Sequence, residues 1–228
     1  MAIKYTKQQV LDKLEQARFE VGIFYQQDFV NYSGETIDTN EQYTEVIAEW
    51  LIGNFSLLSQ IPPITRTSSY KIQTHKGWTT SPASNRLEER IAMAMFRQRG
   101  LPWLGLVMDY QTPLKDKQSS HAGKIDLLTY DGSVLRMMEL KEPESKETML
   151  RCVLEGYTYL KTANTGKLLQ EFQLPPSTKV QACPLVSHGK FQYLAMKAHR
   201  PYLKHLMELL DSETFYYEMA GEHYIITK

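Results

Sequence analysis

Asp131-Gly132 constrains this chain more than any other feature, because it sits between two runs that read as strands. Lys124-Ile-Asp-Leu-Leu-Thr-Tyr precedes it and Ser133-Val-Leu-Arg-Met-Met-Glu-Leu-Lys follows. An Asp-Gly pair between apolar-rich segments selects a tight hairpin, since glycine accepts positive φ without steric cost and Asp tolerates turn geometry. Pro143 ends the second strand. An isolated hairpin is only marginally stable, so the rest of the chain must cover it.

The covering elements can be read on both sides. Ser84-Asn-Arg-Leu-Glu-Glu-Arg opens a helix that Ser84 or Asn85 can cap, with Leu87, Ile91, Ala94 and Met95 as its buried stripe and Gly100 and Pro102 ending it. Trp103–Tyr110 reads as a strand and Thr112–Gly123 as a polar loop containing Lys115, Lys117 and His121. Beyond the hairpin, Ser145 begins a helix through Met149, Val153, Tyr157 and Leu160. Val180–Val186 reads as a strand, Phe191–Met196 as a second, and Pro201–Leu210 as a helix with proline in its first turn. Thr214–Met219 and His223–Thr227 form a closing hairpin across Ala220-Gly221. Helix, three strands, helix and strand in that order predict an α/β unit with a mixed sheet, not a doubly wound parallel one.

Upstream, Val10, Leu14, Ala17 and Val21 form one helical pattern, and Tyr43, Val46, Ile47, Trp50 and Leu51 another. Pro62-Pro63 closes this block, and residues 64 to 83 read as an irregular or strand-containing connection. Residues 1–63 are therefore expected to be a helical extension packed on a domain spanning 64–228, whose core is 84–187. There is no run of eighteen apolar residues, and the N-terminal residues lack the apolar centre of a secretory signal. Cys152 and Cys183 have no CxxC spacing. A cytoplasmic protein with no membrane partner is the expectation.

The formal net charge is zero, which argues against coating nucleic acid by bulk electrostatics. The charge is unevenly distributed, however. Residues 1–60 carry four Lys/Arg against nine Asp/Glu, whereas residues 61–130 carry ten against five. Phe172 to Met207 lacks carboxylates and holds Lys179, Lys190, Lys197, Arg200 and Lys204. Such asymmetry can build a polyanion-binding face, or can be ordinary surface variation.

The hairpin itself carries the chemistry. Glu139 and Lys141 lie two residues apart, so strand alternation points them to one face. The turn folds Asp126 back beside Glu139. Converging carboxylates repel unless a cation intervenes, which suggests Mg²⁺, with Mn²⁺ as a substitute. HExxH, P-loop, GxGxxG and GxSxG patterns are absent, and the six histidines show no metal-ligand spacing. Cys152 falls on the buried side of a helix, as a core residue does.

Gly123-Lys-Ile-Asp126, a hairpin, and Met138-Glu-Leu-Lys141 together resemble the PD-(D/E)XK nuclease signature. Leu87-Glu-Glu-Arg-Ile91 resembles the family's first core helix, and Glu155-Gly-Tyr-Thr-Tyr159 its Gln-x-x-x-Tyr motif in RecB-like members. Two positions depart from the pattern, Ile125 for the family's Pro and Glu155 for its Gln. The resemblance implies an α/β, restriction-endonuclease-like core with a central mixed β-sheet flanked by helices. It also implies Mg²⁺-dependent phosphodiester hydrolysis of DNA, yielding a 5′-phosphate and a 3′-hydroxyl. Asp126, Glu139, the Leu140 carbonyl and Glu88 would hold the metal, with Glu89 as the alternative to Glu88. Lys141 would assist the attacking water. Tyr159, Glu155, Lys124, Arg97 and Arg99 are the substrate-contact candidates. Two other readings remain: a catalytically inactive nucleic-acid- or protein-binding module that keeps the fold, and an accessory subunit docking a partner through residues 1–60. A homodimer is compatible with cutting two strands.

Overall fold

The computed structural model describes residues 4–73, 75, 86–116 and 123–228. Its centre is a seven-stranded sheet whose spatial order follows the chain: β1 (Gly100–Leu101), β2 (Gly105–Pro113), β3 (Lys124–Tyr130), β4 (Val134–Leu140), β5 (Lys179–Ser187), β6 (Phe215–Ala220) and β7 (His223–Thr227). Strands β1 to β4 form an antiparallel meander, β4–β5 and β5–β6 are parallel, and β6–β7 is an antiparallel hairpin. The chain is thus α/β with a mixed sheet. β1 comes close to β7, so the sheet curls most of the way towards closure.

Each crossover between parallel strands is helical. α4 (Met149–Thr162) and α5 (Thr165–Glu171) link β4 to β5, while α6 (Phe191–Lys197) and α7 (Pro201–Leu209) link β5 to β6. One sheet face packs on α3 (Leu87–Gln98), where Ile91, Ala92, Met95 and Phe96 meet Leu127, Met138 and Leu140. The other face holds Leu128, Leu135 and Met137 against Leu150, Val153 and Leu154 of α4. α1 (Lys7–Ala17) and α2 (Tyr43–Gly53) add Val10, Leu14, Val46, Ile47 and Leu51 to that same core. Among the described residues no helix is long and apolar enough to cross a membrane.

The Asp131-Gly132 turn forms as its chemistry requires. Gly132 takes φ +101°, and Asp131 Oδ1 accepts hydrogen bonds from the backbone N–H groups of Ser133 and Val134, both at 2.9 Å. Several expectations need correction. Phe191–Met196 is helical, because Gln192 and Met196, four residues apart, are the positions that bury. Trp103 is in a turn at φ +64°, and β2 begins only at Gly105. A Cβ at Gly105 would lie 2.3 Å from the Tyr130 carbonyl oxygen, so this turn closes tightly on the end of β3. Thr112 belongs to β2 instead of a loop. Leu87, as the first residue of α3, is 39% exposed and lies outside the packed stripe.

The helix expected from Ser145 begins four residues later, at Met149, with Thr148 as its cap. Ser84, Asn85, Lys117 and His121 lie outside the described residues. Arg86 takes the N-cap position of α3 without a side-chain capping bond.

Candidate active site

The site is built where β3 begins and β4 ends. The antiparallel register pairs Leu127 with Met138, and one more step brings Asp126 opposite Glu139. Directly opposed residues share a face, here the face covered by α4. Asp126 Oδ2 accepts from the Leu140 N–H at 2.9 Å, and Asp126 Oδ1 accepts from Gln111 Nε2 at 2.8 Å. A carboxylate retains further lone pairs after two such bonds. Lys141 is fixed through its backbone: its N–H donates to the Leu185 carbonyl at 3.1 Å, and its carbonyl accepts from the Tyr217 hydroxyl at 2.9 Å.

Three carboxylates surround the Lys141 ammonium. Glu147 Oε2 lies 2.7 Å from Nζ, Glu139 Oε1 2.8 Å and Glu155 Oε2 3.2 Å. The delayed start of α4 makes this possible, since Glu147 sits in the approach to the helix and Glu155 within it. Burial alone would lower the lysine's pKa, but attraction from Glu139 and Glu155 outweighs it and raises it. Lys141 is therefore a stable cation.

The carboxylates behave oppositely. Asp126 is pushed up to about 7, chiefly by burial, with Glu88 and Glu155 adding repulsion against the pull of Lys141 and the Leu140 N–H. Glu139 is raised well above the ordinary range by burial and by repulsion from Glu155 and Asp126. Glu88 is also raised, again mainly by burial. Burial, reinforced by the neighbouring carboxylates, thus favours the protonated forms of these acids in the metal-free protein.

These side chains line an open cavity of about 480 Å³ together with Arg86, Gln111, Gly123, Lys124, Glu142, Ser145, Arg151 and Tyr159. Its lining carries six carboxylates (Glu88, Asp126, Glu139, Glu142, Glu147 and Glu155) against four cations (Arg86, Lys124, Lys141 and Arg151). In charge and donor type the residues suit a hard divalent cation, which takes carboxylate and carbonyl oxygens. They do not make a ready cage. Among the described residues no three His, Cys, Asp or Glu side chains converge as metal ligands. The fit is an open one, with the two neighbouring carboxylates Asp126 and Glu139 on the cavity wall, and the rest of the shell left to Glu88, water or phosphate.

The chain matches no family model, no curated protein and no solved structure.

Of the residues singled out in the sequence, Glu88, Lys124, Asp126, Glu139, Lys141, Glu155 and Tyr159 all line this cavity. The Tyr159 hydroxyl donates to Glu155 Oε1 at 2.8 Å, and burial followed by Glu155 repulsion raises its pKa, so it stays a donor. Gly123 backs onto it: a Cβ there would lie 1.7 Å from the Tyr159 oxygen. Arg97 and Arg99 are not brought to the site. Arg97 lies in the last turn of α3, about 14 Å along the axis from Glu88 at 1.5 Å per residue, and Arg99 caps the helix beyond it. Glu89 is not part of the lining either, whereas Glu88 is.

Gln111, Glu147 and Arg151 were missed. Glu147 follows from the late start of α4, which Ser145 obscured. Gln111 follows from strand register, for which a single sequence carries no signal.

Proposed function

We propose that this chain is a Mg²⁺-dependent phosphodiesterase acting on DNA through a PD-(D/E)XK-type site on a restriction-endonuclease-like core. One observation carries the reading: Asp126, Glu139 and Lys141 meet at adjoining strand ends, with Glu88, on the wall of one open cavity. The central mixed sheet flanked by helices supports this reading at the level of architecture.

Asp126, Glu139 and the Leu140 carbonyl would hold the cation, with Glu88 bound to it or to its water shell. Bound there, a divalent cation supplies Lewis-acid polarisation of the phosphate and a water of lowered pKa. Lys141, kept charged by its neighbours, is suited to donate hydrogen bonds to the attacking water or a phosphate oxygen. It is not suited to take a proton from that water. Lys124, Arg86 and Arg151 supply positive charge at the cavity wall for the phosphate backbone. Glu155 in place of Gln points a carboxylate at Lys141 and accepts from Tyr159, so here it orients the lysine and contributes no amide to substrate.

The test is cleavage of single- and double-stranded DNA with Mg²⁺ or Mn²⁺. The wild-type protein should cleave at least one form, and a folded Asp126→Ala variant should lose the activity. Cleavage unchanged in Asp126→Ala would end the site assignment. A second reading, a binding module that keeps the fold without catalysis, is favoured by the Lys141 ammonium already neutralising part of the carboxylate cluster. DNA binding without cleavage in either metal would select it.

A further inference from the structure

Gln111 is a buried polar residue with an unusual backbone, and it touches the residue most central to the site. It lies within β2, where the register pairs Tyr110 with Leu127 and Thr112 with Ile125, so Gln111 faces Asp126 directly. The side chain is on a residue only 5% exposed and donates from Nε2 to Asp126 Oδ1 at 2.8 Å. Its φ is +50°, a left-handed conformation that an L-residue inside a strand does not adopt without cost. The register of β2 on β3 also shifts between Val107 and Asp109, just before this point. Irregular backbone that persists in a strand beside a functional side chain is a place where local strain serves geometry.

Resting on the metal-site reading above, we propose that Gln111 is a positioning residue that aims the Asp126 carboxylate at the cation. Asp126 has two fixed donors: the Leu140 N–H on Oδ2 and the Gln111 amide on Oδ1. Together they define the plane of the carboxylate and leave its other lone pairs facing the cavity. With Leu140 alone, the group can rotate about its last bond. A neutral amide suits the task. A cation at 111 would compete with the metal for Asp126, and a carboxylate would add to the repulsion already present there. Hydrogen bonds that orient ligands are commonly worth 10–100-fold in metal affinity. Gln111 therefore sets how well the cation is held without touching it.

Two substitutions separate this role from a merely structural one. Gln111→Met keeps the length of the side chain and removes the donor. Gln111→Gly removes the donor and also relieves the positive φ. Mn²⁺ affinity would be measured by calorimetry, and thermal unfolding without metal, on both variants and the wild type. The expected result is Mn²⁺ binding weakened roughly tenfold or more in both variants, with Gln111→Gly unfolding no lower than Gln111→Met. Wild-type affinity in both folded variants would overturn the positioning role and leave the metal site standing. Absence of Mn²⁺ binding by the wild type itself would overturn both. Failure of both variants to fold would assign Gln111 to the fold and likewise overturn the proposal.

Discussion

Lys141 holds the site together electrostatically. Its ammonium is nearly buried, with the side chain 7% exposed, and answers three carboxylates. Removing one partner of a buried ion pair leaves uncompensated charge and costs about 3–5 kcal/mol. Lys141→Met is therefore expected to destabilise the metal-free protein by about that much, read as a lower urea midpoint, and added Mn²⁺ should recover part of the loss. The pH dependence follows from the same crowding. Asp126 titrates near 3.8 when unfolded and at about 7 in the fold, so between these values the native state holds the extra proton. Its contribution is fully present below pH 3.8 and is lost as pH rises through about 7. Thermal unfolding of the metal-free protein should fall from pH 5 to pH 8, and Asp126→Asn should flatten that fall. A profile equally steep in the variant would mean that another group titrates.

At the scale of elements, what could be read from the sequence depended on whether local chemistry decided the outcome. The central hairpin was legible because Asp131 and Gly132 satisfy their own turn, and α3 was legible from its apolar spacing. Phe191–Met196 was not, since a short apolar run has no period long enough to separate strand from helix. The beginning of α4 was misplaced because Ser145 and Thr148 are both competent caps. Tertiary contacts favour the second: the Thr148 hydroxyl donates to the Val30 carbonyl, and its N–H donates to Asn31 Oδ1, both at 2.7 Å. That choice leaves Glu147 in the preceding segment, beside Lys141. Thr148 thus caps α4, ties the N-terminal block to it and shapes the site. Thr148→Ala should cost about 1–2 kcal/mol in denaturant unfolding and should weaken cation binding as well. A stability loss with cation affinity unchanged would separate the cap from the site.

Across the whole molecule, the uneven charge of the sequence is partly spent on internal contacts. Glu45 of the acidic N-terminal block is buried and accepts from the backbone N–H groups of Tyr202 and Leu203, at 2.9 and 3.1 Å, at the start of α7. A carboxylate at a helix N-terminus satisfies unpaired donors and the helix dipole together. Arg200 donates to Gln42 Oε1 at 3.1 Å beside it. Part of the expected polyanion-binding asymmetry is therefore a docking of the first segment onto the last helices. The three-residue constellation in the hairpin was legible because strand alternation and one turn suffice to bring it together. Gln111, Glu147 and Arg151 were not, because register and a helix start decide them.

The central claim is that this constellation binds a divalent cation, and calorimetric titration of Mn²⁺ tests it most directly. Wild type and an Asp126→Ala, Glu139→Ala double variant would be compared at pH 8, where the carboxylates are most readily ionised. The account predicts saturable binding in the wild type that disappears in the folded double variant. Equal binding by both proteins, or none by the wild type, would contradict it.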